Sequence, residues 1–295
     1  MPPPAVQHNK VAYLATAFRD VDADSDLGKV LACLRFMEGL PAFGAYKRRS
    51  IEMLRLSQGM SVLDVGCGLG FDVARLSDAV GPQGRAVGVD NSDKLLNAAR
   101  VAFGEHTGVE LCLGDAEALE FADSSFDGVR VDRTLQHVAD PQVVISEMHR
   151  VLRPNRWAVC AEPDWGTFVI DTSPTTTTAQ IVTRWRDGFR NPWIGRQLLH
   201  RLRSAGFQNT WVEGFILVAD GLDAVDMVYD IRQTMKQLGN DGESLDQLNE
   251  WYATLTSRDR ENGVLGSVTL FLAGGQKAPD DGAVEQNLKT VPDGD

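Results

Sequence analysis

The stretch VLDVGCGLG, residues 62–70, decides the fold of this chain. A run of apolar residues leads directly into a turn that carries Gly66, Gly68 and Gly70. Glycine suits such a turn because it adopts positive φ and lets a ligand approach the backbone without a Cβ in the way. The helix that follows would present unpaired N–H groups, which attract a carboxylate as well as a phosphate. The motif therefore predicts a strand, a ligand-binding turn and a helix.

The residues around this motif indicate which cofactor it holds. A nicotinamide fingerprint, G-x-G-x-x-G, would need its third glycine where Phe71 stands, which argues against the alternative of a nicotinamide dehydrogenase. Asp90 ends the next predicted strand, at a spacing where a carboxylate can accept hydrogen bonds from both hydroxyls of a ribose. Asp115, in a Gly-Asp-Ala tripeptide after the third strand, could accept from an adenine amino group or form an ordinary turn.

Strand and helix patterns alternate through the next hundred residues, from SVLDV at residue 61 to WAVCAE at residue 157. Unbroken apolar strands separated by helical segments predict a parallel sheet that is covered on both faces. We expect an arm or lid over residues 1–44, the α/β domain over 45–277, and a disordered tail over 278–295. Within the domain we expect a cap insert at about 163–194 and a helical insert at about 222–260.

The predicted cap insert is rich in aromatic side chains. Any one of them could simply fill a core, but five on one insert beyond the fifth strand suggest a cap over an apolar or aromatic acceptor. They are Trp165, Phe168, Trp185, Phe189 and Trp193. Glu162 and Asp164 could contact that acceptor or, with a catechol, a Mg²⁺ ion, although two carboxylates do not establish a metal site. We therefore predict no metal.

Composition limits the partners that this chain can have. Its net charge of −12 disfavours nucleic acid, and no apolar run has the length of a signal-peptide core or a membrane helix. We expect a cytoplasmic protein with a small-molecule partner. The four cysteines, which form no CxxC pair, indicate reduced thiols rather than a disulfide, a zinc site or a metalloid-binding site.

Taken together, these motifs resemble the class I S-adenosylmethionine-dependent methyltransferases, especially the ubiquinone and menaquinone biosynthesis branch. The resemblance rests on VLDVGCGLG, GVDNS, GDAEAL, FDGVRVDRTLQHVADP and RVLRP, and it covers residues 45–162 well. It implies a Rossmann-like, doubly wound α/β fold with a seven-stranded sheet, mostly parallel with an antiparallel last strand, plus a helical cap. It also implies S-adenosylmethionine as the cofactor.

The resemblance assigns roles to individual residues. Gly66 and Gly68 would line the methionine part of the cofactor, and Asp90 would hold the ribose hydroxyls, with Asn91 beside it. Asp115 and the Ala116 amide would bind adenine, and Arg133 would lie near the sulfonium. His137, which follows the fourth strand, is the eighth predicted site residue.

His137 is the candidate catalytic base, because ligands of open α/β sheets gather at the carboxyl ends of the strands. An equally good interpretation is structural, with His137 capping a helix or holding a backbone carbonyl. The sequence thus predicts O-, N- or C-methylation of a small, aromatic or polycyclic metabolite. The alternative is a methyltransferase-like protein that binds the cofactor structurally while catalysing a non-methylating step or only binding a metabolite.

Overall fold

The computed structural model describes residues 12–23, 26–103, 108–172, 175–261 and 263–279. The first eleven residues of the predicted arm, and the predicted tail from residue 280 onward, lie outside the described residues. The strands are β1 Ser61–Val65, β2 Arg85–Asp90, β3 Val109–Leu113, β4 Phe126–Asp132, β5 Leu152–Ile170, β6 Gln208–Asp220 and β7 Leu265–Gln276. The helices are α1 Leu14–Ala17, α2 Leu27–Glu38, α3 Pro41–Met53, α4 Phe71–Val80, α5 Asp93–Phe103, α6 Pro141–Val151, α7 Thr176–Asp187, α8 Ile194–Ser204, α9 Leu222–Tyr229, α10 Ile231–Asn240 and α11 Leu245–Glu261.

These strands form one sheet in the order β3-β2-β1-β4-β5-β7-β6. The first five pair in parallel, whereas β7 lies antiparallel between β5 and β6. The strand order reverses between β1 and β4, because β2 and β3 extend the sheet from β1 to one side and β4 begins the other side. The carboxyl ends of the strands at such a switch point form a natural binding crevice. The predicted doubly wound fold, with its antiparallel last strand, is confirmed.

Burial explains why these segments became strands. β4 is buried along nearly all of its length, and β1 is buried from Val62 to Val65, as expected for strands covered on both faces. Apolar side chains on the two faces form two separate cores, one of which includes helices α6 and α8. Within the described ranges, no helix combines the length and apolar character that crossing a bilayer requires.

Strand β5 runs eight residues beyond Glu162, where the sequence predicted it to end. Pro163 and Gly166 hid this extension, because both residues are unfavourable in regular strands. The pairing of β5 with β7 shifts register between Asp164 and Val169, which is the signature of an irregular bulge. Residues 165–168 therefore leave the regular ladder, and the predicted cap begins as a bulged strand rather than as a loop.

Two other predicted features differ from the helices of the structure. Helix α3 begins at Pro41, a favourable first helical residue, so the predicted division after residue 44 lies within a helix. The helical stretch expected around 222–238 is two helices, α9 and α10, separated by Asp230. Asp230 adopts a left-handed conformation with φ of 49° and ψ of 46°, which interrupts the helix.

Candidate cofactor and acceptor site

A cavity of about 390 Å³ opens at the carboxyl ends of the parallel strands. The structure brings every predicted site residue to its wall, namely Gly66, Gly68, Asp90, Asn91, Asp115, Ala116, Arg133 and His137. The arm covers this cavity, because Phe18, Arg19 and Val21 also line it. The volume lies within the range that small-molecule sites usually have.

Gly66 and Gly68 have different roles in the turn. Gly66, Gly68 and Gly70 have φ values of 72°, 53° and 71°, in the left-handed region that favours glycine. A Cβ on Gly66 would lie 2.1 Å from Oγ1 of Thr134, whereas a Cβ on Gly68 would meet no atom within 4 Å. Gly66 is therefore required by packing, and Gly68 leaves open space at the cavity wall.

We expect Gly66→Ala and Gly68→Ala to fail in different ways. Both variants bear the left-handed strain, roughly 1 to 2 kcal/mol, but only Gly66→Ala must also displace Thr134. Gly66→Ala should therefore lower the free energy of unfolding more, while Gly68→Ala should stay folded and bind the cofactor poorly. Urea unfolding and ligand titration separate these effects. Equal destabilisation with unchanged binding by the Gly68 variant would contradict this division of roles.

Asp90 fixes the turn at the end of β2. Its Oδ2 accepts a hydrogen bond from the Gly68 amide at 2.8 Å, and its Oδ1 accepts from the Ser92 amide at 2.9 Å. Burial raises the pKa of Asp90, which the two amide hydrogen bonds partly oppose. Each carboxylate oxygen has a second lone pair, so the side chain can still accept from a diol.

Asp115 and Asp22 also accept hydrogen bonds near the cofactor end. Asp115 Oδ1 accepts a hydrogen bond from the Glu117 amide at 2.9 Å, which is an Asx turn. Asp22, from the arm, accepts from Ser92 Oγ at 2.5 Å and from the Asp93 amide at 3.0 Å. Asp22 therefore caps helix α5 beside Asp90, and this contact fastens the arm next to the predicted ribose site.

Beneath the turn lies a network of buried charges that sequence analysis did not identify. Arg130, on β4, is fully buried. Its guanidinium donates to Ser50 Oγ at 2.8 Å and to three carboxylates at 2.9 to 3.1 Å. The carboxylates belong to Asp64, Asp72 and Asp132. Arg130 thereby joins β1, β4, α3 and α4, which together hold the glycine turn.

Two carboxylates of this network, those of Asp64 and Asp72, have pKa values shifted in opposite directions. Burial raises the pKa of Asp64 to about 7. Burial would raise the pKa of Asp72 as well, but the charges of Arg130 and Lys47 lower it below its usual range. Asp64 and Asp72 both line the cavity, but Arg130 and Lys47 pair with them. The carboxylate at the cofactor end that suits a cationic ligand is therefore that of Asp90, whose hydrogen bonds come from amides.

Arg133 follows β4 in a left-handed conformation, with φ of 52°. Its amide donates to the Ala161 carbonyl, which ties the loop after β4 (residues 133–140, the β4 loop) to β5. Its guanidinium lies 5.1 Å from the centre of the Phe43 ring, and Nη1 lies 2.9 Å from Met37 Sδ. The side chain therefore points to the part of the cavity that the arm and α3 cover.

His137 lies between two aromatic rings, at 5.5 Å from Phe18 and 5.7 Å from Phe189, centre to centre. Its Nδ1 is buried and has no hydrogen-bond partner among the described residues. Burial lowers the pKa of His137 to about 3, with further lowering by the charges of Arg133, Arg19 and Arg190. The imidazole is thus neutral at physiological pH and only weakly basic.

Glu162 lies on β5, one residue beyond the parallel pairing of this strand with β4, and it holds the β4 loop in place. Its Oε1 accepts from the amides of Thr134 and Leu135 at 2.8 and 2.6 Å. The side chain is fully buried, Oε2 has no described partner, and burial raises the pKa of Glu162 to about 8. Glu162 therefore orients the loop that carries Arg133 and His137.

The titration of Glu162 predicts a pH dependence of stability. Between the ordinary carboxyl pKa and about 8, the folded protein binds a proton that the unfolded chain has released, so its stability falls as pH rises. Glu162→Gln keeps an acceptor oxygen but cannot titrate. The difference in unfolding free energy between native protein and variant should shrink by up to about 1.4 kcal/mol per pH unit from pH 5.5 to 7.5. A difference that stays constant with pH in urea melts would contradict the raised pKa.

Aromatic side chains form the wall of the cavity opposite the acidic end. Trp165 stacks on Phe189 with ring centres 4.4 Å apart and planes 16° apart, and Trp185 meets Trp165 edge-on at 5.5 Å. Tyr229, from α9, packs edge-on against Trp165 at 6.3 Å. All four rings line the cavity. Trp193 does not line the cavity, and the guanidinium groups of Arg186 and Arg196 lie 5.0 and 4.9 Å from its ring centre.

Glu162 and Asp164, the two carboxylates considered as metal ligands, have other partners. Asp164 forms an ion pair with Arg196, and Glu162 is held by the amides described above. Among the residues that the structure describes, no group of three or more histidine, cysteine or carboxylate side chains could hold a metal ion. The four cysteines are free thiols, and burial raises the pKa of Cys33 to about 12.

Comparison with known proteins adds the family. A methyltransferase-domain model matches residues 56–206. A 37.1 kDa protein in transposon TN4556 of Streptomyces fradiae is 37% identical over 195 residues, which are 65% of this chain and 56% of that protein. Demethylmenaquinone methyltransferase of Staphylococcus aureus is 36% identical over 125 residues, 42% of this chain and 52% of that protein. The chain thus spans about half the length of these curated relatives.

A solved structure agrees with the fold. Phosphoethanolamine N-methyltransferase 2 of Haemonchus contortus, in complex with S-adenosyl-L-methionine, matches with a TM-score of 0.58 and 17% identity. The match covers 91% of this chain and 61% of that one, and at this identity it concerns the fold alone. With the family model spanning the glycine turn, Asp90 and the β4 loop, the chain belongs to the methyltransferase-domain family, within the class I S-adenosylmethionine-dependent methyltransferases.

Proposed function

We propose that this chain transfers the methyl group of S-adenosylmethionine to a small, planar and largely apolar acceptor, such as an aromatic or polycyclic metabolite. The observation that carries the proposal is a single cavity with an acidic glycine turn at one end and stacked aromatic rings at the other. A cationic methyl donor suits the first end, and a planar acceptor suits the second.

The residues at the cofactor end fit S-adenosylmethionine, the cofactor of this family. Gly68 leaves space where a ligand can approach the backbone, and Gly66 shapes the turn. Asp90, with Asn91, would hold the ribose, and Asp115 with the Ala116 amide would hold adenine. Arg133 would lie near the sulfonium. When bound, the cofactor supplies an activated methyl group, so the protein has chiefly to align the acceptor and exclude water.

His137 serves best as a neutral hydrogen-bonding group for the acceptor. A histidine whose pKa is about 3 gains little from accepting a proton at neutral pH, which weakens the role of general base. Its unpartnered Nδ1 and its place between two aromatic rings suit contact with a polar atom on a planar ligand. We propose that the arm, through Phe18 and Arg19, closes over this complex and keeps water out.

The test is product formation with a donor that carries a labelled methyl group. Purified protein is incubated with methyl-labelled S-adenosylmethionine and a panel of hydroxy- and amino-substituted naphthalenes, quinones and single-ring phenols. We expect label in one or more planar acceptors and loss of it when Trp165 is replaced by alanine. Tight cofactor binding without any methylated product would instead favour the alternative of a non-methylating or metabolite-binding protein.

A further inference from the structure

Two arginines stand at the acceptor end of the cavity without a carboxylate to neutralise them. Arg19 comes from the arm and Arg190 follows helix α7, and both line the cavity. Arg19 is half-buried, whereas Arg190 is exposed at the cavity mouth. Most other buried or half-buried arginines of the described structure form ion pairs, such as Arg130 with its three carboxylates. Within the described residues, neither Arg19 nor Arg190 has an acidic partner within salt-bridge distance.

The existing contacts of Arg19 leave most of its hydrogen-bonding capacity unused. One terminal nitrogen donates to the carbonyl of Gly188, at the end of α7. The Nε–H group is buried and finds no partner among the described residues. A guanidinium has five N–H donors, and a buried donor without a partner costs free energy. The contact with Gly188 fastens the arm, but it does not account for the buried Nε.

The surrounding groups also lack negative charge. The positive charges of Arg19 and Arg190 both act on His137, whose own buried Nδ1 has no partner. Burial and the charge of Arg190 lower the pKa of Arg19, as expected for two cations without a counter-ion between them. This positive region lies within a chain of net charge −12 and beside the aromatic wall formed by Trp165 and Phe189.

We propose that the acceptor carries an anionic oxygen group, such as a carboxylate, on its planar body, and that Arg19 and Arg190 bind this group. The inference rests on the proposed function and narrows its substrate class. Guanidinium groups pair well with carboxylates, and such charged hydrogen bonds are among the stronger ones in proteins. Because Arg19 belongs to the arm and Arg190 does not, an anion bound by both also holds the arm closed.

The proposal is tested by binding of two ligands that differ only in charge. Equilibrium dialysis measures 2-naphthoate and 2-naphthamide against protein saturated with S-adenosylhomocysteine. The native protein should bind the carboxylate about tenfold more tightly than the amide. The preference should fall to within about threefold in the Arg19→Gln, Arg190→Gln double variant. The matching Arg19→Lys, Arg190→Lys variant keeps both charges and should recover part of the preference.

Arg186→Gln is the control, because Arg186 lies on Trp193 and outside the cavity, and this variant should keep the full preference. Equal binding of the two ligands by native protein would overturn the proposal, as would an undiminished preference in the double glutamine variant. Binding of neither naphthalene compound while S-adenosylhomocysteine binds would also overturn it, and would leave the cofactor assignment standing. Failure of S-adenosylhomocysteine itself to bind would instead overturn the proposed function.

Discussion

Arg130→Met is expected to lower the free energy of unfolding by about 3 to 5 kcal/mol, because it leaves buried carboxylates without their cation. Methionine fills similar space but donates no hydrogen bond to Asp64, Asp72 or Asp132. A typical domain is stable by about 5 to 15 kcal/mol, so this loss is a large share of the total. Urea unfolding at pH 7 measures it.

A matched surface variant shows whether burial is the cause. Arg85 pairs with Glu110 at 2.8 Å, but both side chains are about half exposed. Arg85→Met should therefore cost no more than about 1 kcal/mol. Arg130→Lys keeps the charge without the fork of donors, and we expect an intermediate loss. Similar small losses for both methionine variants would show that the buried network does not stabilise the turn.

Asp90→Ala is expected to weaken binding of S-adenosylmethionine by about 1.5 to 3 kcal/mol, roughly 10- to 150-fold. The reason is that a carboxylate at this position would accept two hydrogen bonds from the ribose, and alanine accepts none. The same change removes the acceptor for the Gly68 amide, which loosens the turn itself. Calorimetric titration of folded variant and native protein gives the two dissociation constants.

Two further variants isolate the role of the Asp90 carboxylate. Asp90→Asn keeps one acceptor oxygen for the turn and should lose less affinity than the alanine variant. Asp93→Ala removes an acid three residues away that is outside the cavity and should bind the cofactor as native protein does. Unchanged affinity in Asp90→Ala would mean that Asp90 does not hold the ribose.

The fold and the cofactor end of the site could be read from sequence because their signals are local. Positive-φ glycines, apolar strands and an acid at a strand end each depend on a few neighbouring residues. The residues and the family resemblance assigned Gly66, Gly68, Asp90 and Arg133 to one cofactor site, and all four line the same cavity in the structure. Their roles toward the cofactor stay predictions until binding is measured.

What sequence analysis missed depends on residues that are distant in the chain. Arg130 looks like an exposed charge in an alternating strand, and only the fold brings it to Ser50, Asp64 and Asp72. The hydrogen bond from Arg19 to the Gly188 carbonyl, just after α7, likewise joins residues that are distant in the chain. The extension of β5 was hidden by Pro163, whose unfavourable strand propensity is overridden by pairing with β7.

Calorimetric titration of the native protein with S-adenosylmethionine and S-adenosylhomocysteine tests the central claim most directly. The glycine turn and the Asp90 carboxylate predict binding of both ligands at one site per chain, with dissociation constants on the order of micromolar. Binding of neither ligand by protein that unfolds cooperatively would contradict the assignment of this cavity to the methyl donor.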